Sequence, residues 1–463
     1  MPSEDDVIVL GAGVAGLAAA YALTRAGCRA RVLEGAEVVG GLARTHVHGT
    51  FRFDLGGHRF LTQDVRIERL VRELLGEELV VVRRRSQIRL RGRWIDYPLR
   101  PRGALAGLGV RTSAAILLGY SWAQLAQRLH PAPLLSLEDW VVAHFGRPMF
   151  ELYFRDYSEK VWGLPCREIA AEWIARRIDG LSLGAAIRRA LARRAPDLPT
   201  LTDQFLYPRR GTGRIAERLA EEITRANSIV TGARVLHLRH ARGRVDTVVV
   251  RQGERTHELS APAFVSTLPL PRLVQMLQPC APREILEDAC GLRYRDLVLV
   301  TLMIGRARVT DQSWIYFPEQ DVPFGRLHEP TNWSADMAPP GQTLLVTERF
   351  CFRGDVTWSA PDAALIDETA GHLERLGFLR RAEVIDGVVL RIPSAYPVFE
   401  LGYRARCERI EKFVAGFENL HLAGRGGMFR YYNMDHALAS GLAAAEAAWP
   451  GAPAVARAAA AGG

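Results

Sequence analysis

Lysine is almost absent from this 463-residue chain. Lys160 and Lys412 are its only lysines among 60 basic residues, so arginine carries nearly all of the positive charge. Together with the many alanines, this bias indicates a GC-rich bacterial genome. Nucleic-acid binding is not expected, because basic runs such as residues 83–85 lack the interleaved aromatic residues that stack on bases. The net charge of +9 suits an anionic small-molecule substrate.

Cysteines, a signal peptide and long hydrophobic runs are also scarce or absent. The six cysteines have no CxxC or other ligand spacing, which favours free thiols and no metal site. The acidic start MPSEDD lacks the basic and apolar regions of a signal peptide, so we expect a cytoplasmic protein. The least polar stretch, residues 103–129, contains Arg111, Gln124 and Gln127 and predicts amphipathic helices. Membrane contact is therefore expected to be peripheral at most.

Residues 7–34 contain a strand–glycine turn–helix–strand pattern. The apolar run Val7–Leu10 leads into a GxGxxG turn, and a second strand ending on Glu34 follows the helix. This is the dinucleotide-binding fingerprint in its required context. The glycines permit a tight turn, close approach to a pyrophosphate and close helix packing, and Glu34 would bind a ribose diol rather than a 2′-phosphate. The predicted nucleotide contacts are Gly11, Gly13, Val14, Ala15, Gly16 and Glu34.

A second glycine pair, Gly40-Gly41-Leu42-Ala43-Arg44-Thr45, follows the ribose acid. NAD domains usually have no such extension, and the segment resembles the flavoprotein superfamily of amine oxidases, protoporphyrinogen oxidase and phytoene desaturase. That resemblance implies FAD, with Gly41 and Leu42 near the flavin side of the pyrophosphate and Arg44 neutralising it.

The pattern along the chain predicts an α/β fold in which a discontinuous Rossmann-like FAD-binding domain is interleaved with a helical lobe and an antiparallel β-sheet substrate domain. Strand patterns near residues 228–250, 263–268 and 420–423 belong to the FAD domain, and the superfamily resemblance implies a backbone contact to adenine near Val235. The predicted segments are 1–95, 206–290 and 396–450 for the FAD domain, 96–205 for the helical lobe, 291–395 for the antiparallel sheet and 451–463 for a disordered tail.

Several narrower segments together resemble the UDP-galactopyranose mutase family, particularly its eukaryotic type. They occur in the expected order and are Asp54–His58, Tyr157–Pro165, Trp173–Arg177, Trp314–Glu319, Gly325–Arg326, Ala395–Pro397 and Gly424–Tyr431 running to Asp435–His436. The resemblance implies a redox-neutral exchange between pyranose and furanose forms of a nucleotide sugar. In that family N5 of the reduced flavin attacks the anomeric carbon and displaces the nucleotide, and NAD(P)H is a candidate external reductant.

The same resemblance assigns roles to single residues. Arg177 (with Arg176 as the rival in its pair) and Arg326 would clamp the diphosphate, and Trp314 would form a wall beside the sugar. Hydroxyls of Tyr316, Tyr396 and Tyr431 would donate to phosphate or sugar. The remaining implied flavin contacts are Gly56, Gly57, His58, Gly424, Arg425, Asn433, Met434 and Asp435, where Arg425 would stabilise the anionic reduced flavin and the last three begin the final helix.

Three functions stay open at this point. The first is the nucleotide-sugar mutase. Its nucleotide could be UDP, dTDP or GDP, because the helical region from 100 to 200, which should carry the nucleobase pocket, has no match to the family outside its KVWGLP segment. The second is an FAD oxidoreductase of the protoporphyrinogen-oxidase or amine-oxidase type that abstracts hydride from a small molecule. The third is a non-catalytic or partner-dependent flavoprotein. A diphosphate clamp of Arg177, Arg326 and Tyr316 distinguishes the first, because an oxidase of an apolar amine or porphyrin has no need of one.

Overall fold

The fold is known from a computed structural model that describes residues 5–97, 109–178 and 204–450. The predicted tail 451–463 and the greater part of residues 179–205 lie outside the described residues. For Arg176 and Arg177 the description covers the helical backbone but not the side chains.

A five-stranded parallel sheet forms the predicted Rossmann-like unit. Its order is β20–β13–β1–β2–β9, with β1 at Val7–Leu10, β2 at Ala30–Leu33, β9 at Ser228–Val230, β13 at Ala263–Ser266 and β20 at Leu420–Leu422. All four residues of central β1 are buried, because successive side chains enter hydrophobic clusters on opposite faces. The five strands come from three separate stretches of chain, as a discontinuous domain requires.

The predicted antiparallel sheet has seven strands in the order β19–β15–β18–β17–β16–β6–β7. The strands predicted for it are β15 (Tyr294–Ile304), β16 (Trp314–Tyr316), β17 (Arg326–His328), β18 (Thr343–Cys351) and β19 (Val384–Pro397). Two further strands, β6 (Ser86–Leu90) and β7 (Arg93–Asp96), extend it from a segment that the sequence pattern had assigned to the FAD domain. The β16–β6 pair is parallel, and its alignment allows Ile88, Leu90 and Ile95 to pack together beside Tyr316.

The remaining strands form three smaller sheets. One pairs β3 (Thr45–His48) with β4 (Phe51–Asp54), and another pairs β5 (Leu79–Arg83) with β8 (Gln204–Pro208). The third has the order β12–β11–β10–β14 and contains β10 (Ala233–Ala241), β11 (Arg244–Gln252), β12 (Arg255–Leu259) and β14 (Leu277–Gln278).

The described helices of six or more residues lie around these sheets and in the predicted helical lobe. The lobe contains Val110–Leu129, Leu137–Phe145, Arg155–Trp162 and Ala171–Ile178. The others are Val14–Arg25, Val65–Leu75, Gly213–Ile223, Leu270–Gln275, Arg283–Cys290, Asp362–Arg375, Tyr403–Val414 and Met434–Ala448.

A partly buried lysine and a buried arginine connect the helical lobe to the seven-stranded sheet. The Lys160 ammonium donates to the backbone carbonyls of Phe317, Glu319 and Val322. The Arg295 guanidinium donates to the Val161 carbonyl at 3.0 Å and to the Phe350 carbonyl at 2.9 Å. Since buried carbonyls need donors, these contacts hold the lobe in a fixed position beside the strand that carries Arg326.

The last helix, Met434–Ala448, packs closely on the nucleotide helix Val14–Arg25. A Cβ atom added to Gly441 would lie 2.0 Å from the carbonyl oxygen of Ala15, so only glycine permits this approach. The contact brings the helix Met434–Ala448 next to the helix that begins at the predicted pyrophosphate site.

We predict that Gly441→Ala lowers the free energy of unfolding by about 1–3 kcal/mol, because the added methyl group forces two backbones apart. The matched control is Gly371→Ala, also inside a helix, where the added Cβ would meet the flexible end of Arg381. That control should be neutral or stabilising by up to about 1 kcal/mol. Denaturant titration of both variants measures the effect, and equal stability of Gly441→Ala and the natural protein would disprove the close approach.

Candidate active site

The turn after β1 forms a cradle that only glycines can build. Gly11 has a φ of +102°, and a Cβ atom on Gly16 would lie 1.9 Å from the Gly11 carbonyl oxygen. A Cβ atom on Gly13 would meet nothing within 4 Å, so open space lies in front of the helix. The first N–H groups of that helix have no side-chain cap and are suited to a phosphate.

Glu34 stands beside this cradle at the end of β2. Its carboxylate accepts hydrogen bonds from the backbone N–H of Ala12 at 2.7 Å and of Ala36 at 2.8 Å. The N–H of Ala233 donates to the Glu34 carbonyl at 2.7 Å, which brings the start of β10, and with it Val235, next to the predicted ribose site. The contact of Val235 with adenine stays a prediction.

The second glycine pair closes over the cradle. Gly40 and Gly41 both have positive φ, and the Gly40 N–H donates to the Ala12 carbonyl at 2.8 Å. A Cβ atom on Gly41 would lie 3.1 Å from the Cα atom of Gly13. Leu42 and Arg44 follow at once and are partly buried. The two glycine motifs therefore form one surface, as the FAD prediction requires.

A loop at residues 54–58 enters the interior between the sheets. The buried Asp54 carboxylate accepts hydrogen bonds from Thr45 at 2.6 Å, from Tyr207 at 2.7 Å and from the Thr212 N–H at 3.0 Å. Burial raises the pKa of Asp54 to about 6 despite these donors. Gly56 has a φ of +119°, which turns the chain towards His58.

Glu348 is the central acceptor of the site, and the sequence analysis missed it. One oxygen accepts from the Gly57 N–H at 2.9 Å, and the other accepts from the Arg326 guanidinium at 3.1 Å. The Glu348 side chain has no solvent exposure. A carboxylate in the strand β18, soon after its apolar run Leu344–Val346, was the available signal, because a buried acid needs partners.

Arg326 is held from two sides. Its Nε donates to the Tyr157 hydroxyl at 2.8 Å and its Nη1 pairs with Glu348, while the guanidinium lies 5.1 Å from the ring centre of Phe350. The side chain is 16% exposed, and Nη2 has no acceptor among the described residues. The head group is therefore fixed, with one donor nitrogen left over.

His58 follows Gly57 in the chain, and Trp314 lies against Gly57. A Cβ atom on Gly57 would fall 2.3 Å from the indole nitrogen of Trp314, so the loop presses on this buried ring. Burial, followed by the charges of Arg425 and Arg326, lowers the pKa of His58 to about 3. Its imidazole is neutral at pH 7, and its buried Nδ1 has no hydrogen-bond partner in the described ranges.

The tyrosines of the predicted site form two aromatic groups. Tyr396 and Tyr431 are stacked, with ring centres 6.3 Å apart and planes at 16°, and the Arg425 guanidinium lies 5.3 Å and 5.7 Å from them. Tyr316 contacts Tyr157 edge-on at 5.8 Å. Burial raises the pKa of Tyr157 and Tyr396, so both phenols keep their protons.

Contacts connect these groups into one site. Phe350 lies between them, against the Arg326 guanidinium and 6.1 Å from the ring of Tyr396. The residues that the sequence predicted and the structure brings together are His58, Trp314, Tyr316, Arg326, Tyr396, Arg425 and Tyr431. Arg177 cannot be placed, since its side chain lies outside the described residues.

The remaining predicted cofactor residues begin the last helix. Asn433 precedes its first turn and makes no side-chain cap there, and Met434 and Asp435 follow. The Gly424 N–H donates to the Ser440 hydroxyl at 2.9 Å, and a Cβ on Gly424 would lie 3.0 Å from that of Ala15. These positions adjoin the nucleotide helix, and their contacts with a cofactor stay predictions.

Over the ranges 5–97, 109–178 and 204–450, no group of three or more metal-ligating side chains is present. No helix in these ranges is long and apolar enough to cross a membrane.

A second buried histidine makes the stability of the protein depend on pH. His328 stacks on Trp333 with planes at 6°, and burial lowers its pKa from 6.5 to about 3. The unfolded chain binds this proton below pH 6.5 while the folded protein does not, so stability is complete above pH 6.5 and falls as the pH decreases.

We predict that His328→Phe reduces this loss by up to about 1.4 kcal/mol per pH unit below pH 6.5. Urea titrations between pH 7 and 5 give the slope for the variant and the natural protein. His257→Gln, at an exposed histidine, is the control and should leave the slope unchanged. The raised pKa of Asp54 makes its contribution to stability change with pH in the opposite direction to that of His328. Since Asp54 is present in every variant, only the difference in slope between variants tests the prediction. An unaltered slope in His328→Phe would contradict the assignment.

Comparisons with solved structures show which fold this chain shares. A solved structure of reduced UDP-galactopyranose mutase has a TM-score of 0.84 at 22% identity, covering 96% of this chain and 93% of that one. Cyclohexylamine oxidase from Brevibacterium oxydans IH-35A has a TM-score of 0.65 at 15% identity, with coverage of 96% and 98%. At these identities the likeness shows a shared fold.

One comparison of sequence identifies the family, and another matches only a short segment. L-amino-acid oxidase from Echis ocellatus is 54% identical over 41 residues, which are 9% of this chain and 8% of that protein. The family of flavin-containing amine oxidoreductases matches residues 14–448, nearly the whole chain. The predicted superfamily and the α/β fold class are thereby confirmed, and this chain belongs to the family of flavin-containing amine oxidoreductases.

Proposed function

We propose that this protein is an FAD-dependent nucleotide-sugar mutase that interconverts pyranose and furanose forms. The observation that carries the proposal is the fixed Arg326 guanidinium, held by Tyr157 and the buried Glu348 against the His58 loop. A largely enclosed cation, 16% exposed, with one donor nitrogen that has no acceptor among the described residues suits a diphosphate. The structural likeness to a UDP-galactopyranose mutase supports the same reading.

The residues present fit FAD. The open space before Gly13, the uncapped helix start and the carboxylate of Glu34 suit the adenosine diphosphate half. The unpartnered Nδ1 of His58 and the cation of Arg425 suit the flavin half. When bound and reduced, with NAD(P)H as a candidate reductant, FAD would supply the nucleophile for the anomeric carbon.

The protein's own side chains would bind and orient the substrate. Arg326 would donate from Nη2 to a phosphate oxygen, and its fixed position avoids the entropy cost of ordering it on binding. Hydroxyls of Tyr316, Tyr396 and Tyr431 would donate to phosphate or sugar oxygens. The buried face of Trp314 would limit the space next to the sugar.

His58 and Arg425 would adjust the charge around the flavin. The lowered pKa of His58 keeps its ring neutral at pH 7, so it adds no positive charge and can accept a hydrogen bond. Arg425 is held by its Nε bond to the Tyr432 carbonyl at 2.7 Å. Its permanent charge would favour an anionic reduced flavin over a neutral one.

The second candidate is a hydride-abstracting FAD oxidoreductase, which the family assignment itself favours. The two candidates differ in what they require of Arg326. A mutase needs its charge for a diphosphate leaving group, whereas an oxidase acting on an apolar substrate gains nothing from a buried cation beside its substrate.

The deciding experiment measures product formation with and without reduction. Protein reduced by dithionite is mixed with UDP-galactofuranose, and chromatography follows the appearance of UDP-galactopyranose. We expect conversion by the reduced protein and none by the oxidised protein. The dTDP and GDP sugars are assayed in parallel, because the nucleobase is open.

Absence of product with all three nucleotide classes would contradict the mutase. Substrate-dependent oxygen consumption by the oxidised protein would then support the oxidoreductase. A protein that keeps its flavin but shows neither activity would fit the non-catalytic flavoprotein.

Two arginine variants sharpen this test. Arg326→Lys keeps a cation opposite Glu348 but loses the planar fork, so we expect UDP binding by the reduced protein to weaken at least about tenfold. Arg85→Lys is the matched control at an exposed ion pair with Asp311 and should bind UDP as the natural protein does. The flavin absorbance of both should be unchanged, and unaltered UDP affinity in Arg326→Lys would remove this residue from the site.

A further inference from the structure

The helix Val110–Leu129 differs from an ordinary surface helix because many of its large apolar side chains are exposed to solvent. Apart from Ile116, its inner side packs through small residues, and a Cβ atom added to Gly119 would lie 2.5 Å from Pro148. Ser113, Ile116 and Ala123 are its buried positions. All the other large apolar side chains between residues 116 and 129 that are leucine or tryptophan are exposed and lie away from the buried positions.

Four large residues form a continuous outer stripe. Leu118 and Trp122 are each 72% exposed, Leu125 is 49% exposed and Leu129 is 64% exposed. Their spacing of four, three and four residues places them on one helical face. Leu117 and Leu135 are also exposed nearby. An apolar surface of this kind marks an interaction site.

The charges around the stripe identify its partner. Arg111 near the first turn and Arg128 in the last are exposed, and residues 97–137 contain no aspartate or glutamate. A second copy of the same face would bring these arginines near each other without a carboxylate to neutralise them. A surface that is both apolar and anionic avoids this repulsion.

We propose that this outer stripe, Leu118, Trp122, Leu125 and Leu129, docks the protein on an anionic phospholipid bilayer. The helix would lie in the plane of the interface, with the leucines among the acyl chains and Trp122 at headgroup level. Arg111 and Arg128 would contact lipid phosphates at the two ends. The inference is independent of the reaction proposed above.

The test is co-sedimentation of the flavin-loaded full-length protein with vesicles. We expect binding to vesicles that contain phosphatidylglycerol, weaker binding to pure phosphatidylcholine, and a decline as salt is raised. The double variant Leu118→Gln/Trp122→Gln should lower the partition coefficient at least about tenfold. Arg111→Gln/Arg128→Gln should weaken binding to the anionic vesicles while leaving binding to phosphatidylcholine unchanged.

The control is Val356→Gln, which replaces an 89% exposed apolar residue elsewhere and should bind like the natural protein. Circular dichroism and flavin absorbance establish that each variant is folded. Equal binding by the stripe variant and the natural protein, or no binding to either kind of vesicle, would overturn the proposal. A natural dimer that dissociates in the stripe variant, without vesicle binding, would assign the face to a second copy instead.

Discussion

The site depends on one buried carboxylate, Glu348. It accepts the Gly57 N–H with one oxygen and pairs with Arg326 through the other, so a single side chain fixes both the loop before His58 and the candidate diphosphate ligand. A buried acid is tolerated only with such partners, and removing one partner of a buried pair costs about 3–5 kcal/mol. The loop and the arginine are therefore positioned together.

This arrangement explains why the helical lobe has to be held rigidly. Tyr157, which accepts from Arg326, lies on the same helix as Lys160, and the Lys160 ammonium donates to three carbonyls following β16. Burial lowers the pKa of Lys160 to about 8, so the group remains largely charged at pH 7. Lys160 is one of only two lysines in this arginine-rich chain. A lysine suits this position because its compact ammonium group can donate to several carbonyls at once.

The sequence alone predicts those features of the fold and site that have a local sequence signature. The glycine turns, the acid at the end of β2 and the arginine and tyrosine motifs are recognisable because they demand particular residues at fixed spacing. It did not show that β6 and β7 join the seven-stranded sheet, since strand pairing across more than two hundred residues leaves no local pattern. The carboxylate of Glu348 is visible in the sequence of β18, but its contact with Gly57, 291 residues away, is not.

The central claim is that Arg326 binds a diphosphate while Glu348 holds the flavin-side loop. A crystal structure of the reduced, FAD-loaded protein with UDP tests it most directly. We expect a phosphate oxygen within hydrogen-bond distance of Arg326 Nη2, with the Gly57–Glu348 bond retained and the phenol of Tyr316, Tyr396 or Tyr431 on the same diphosphate. A diphosphate bound away from Arg326, with the guanidinium still enclosed by Tyr157 and Glu348, would contradict it.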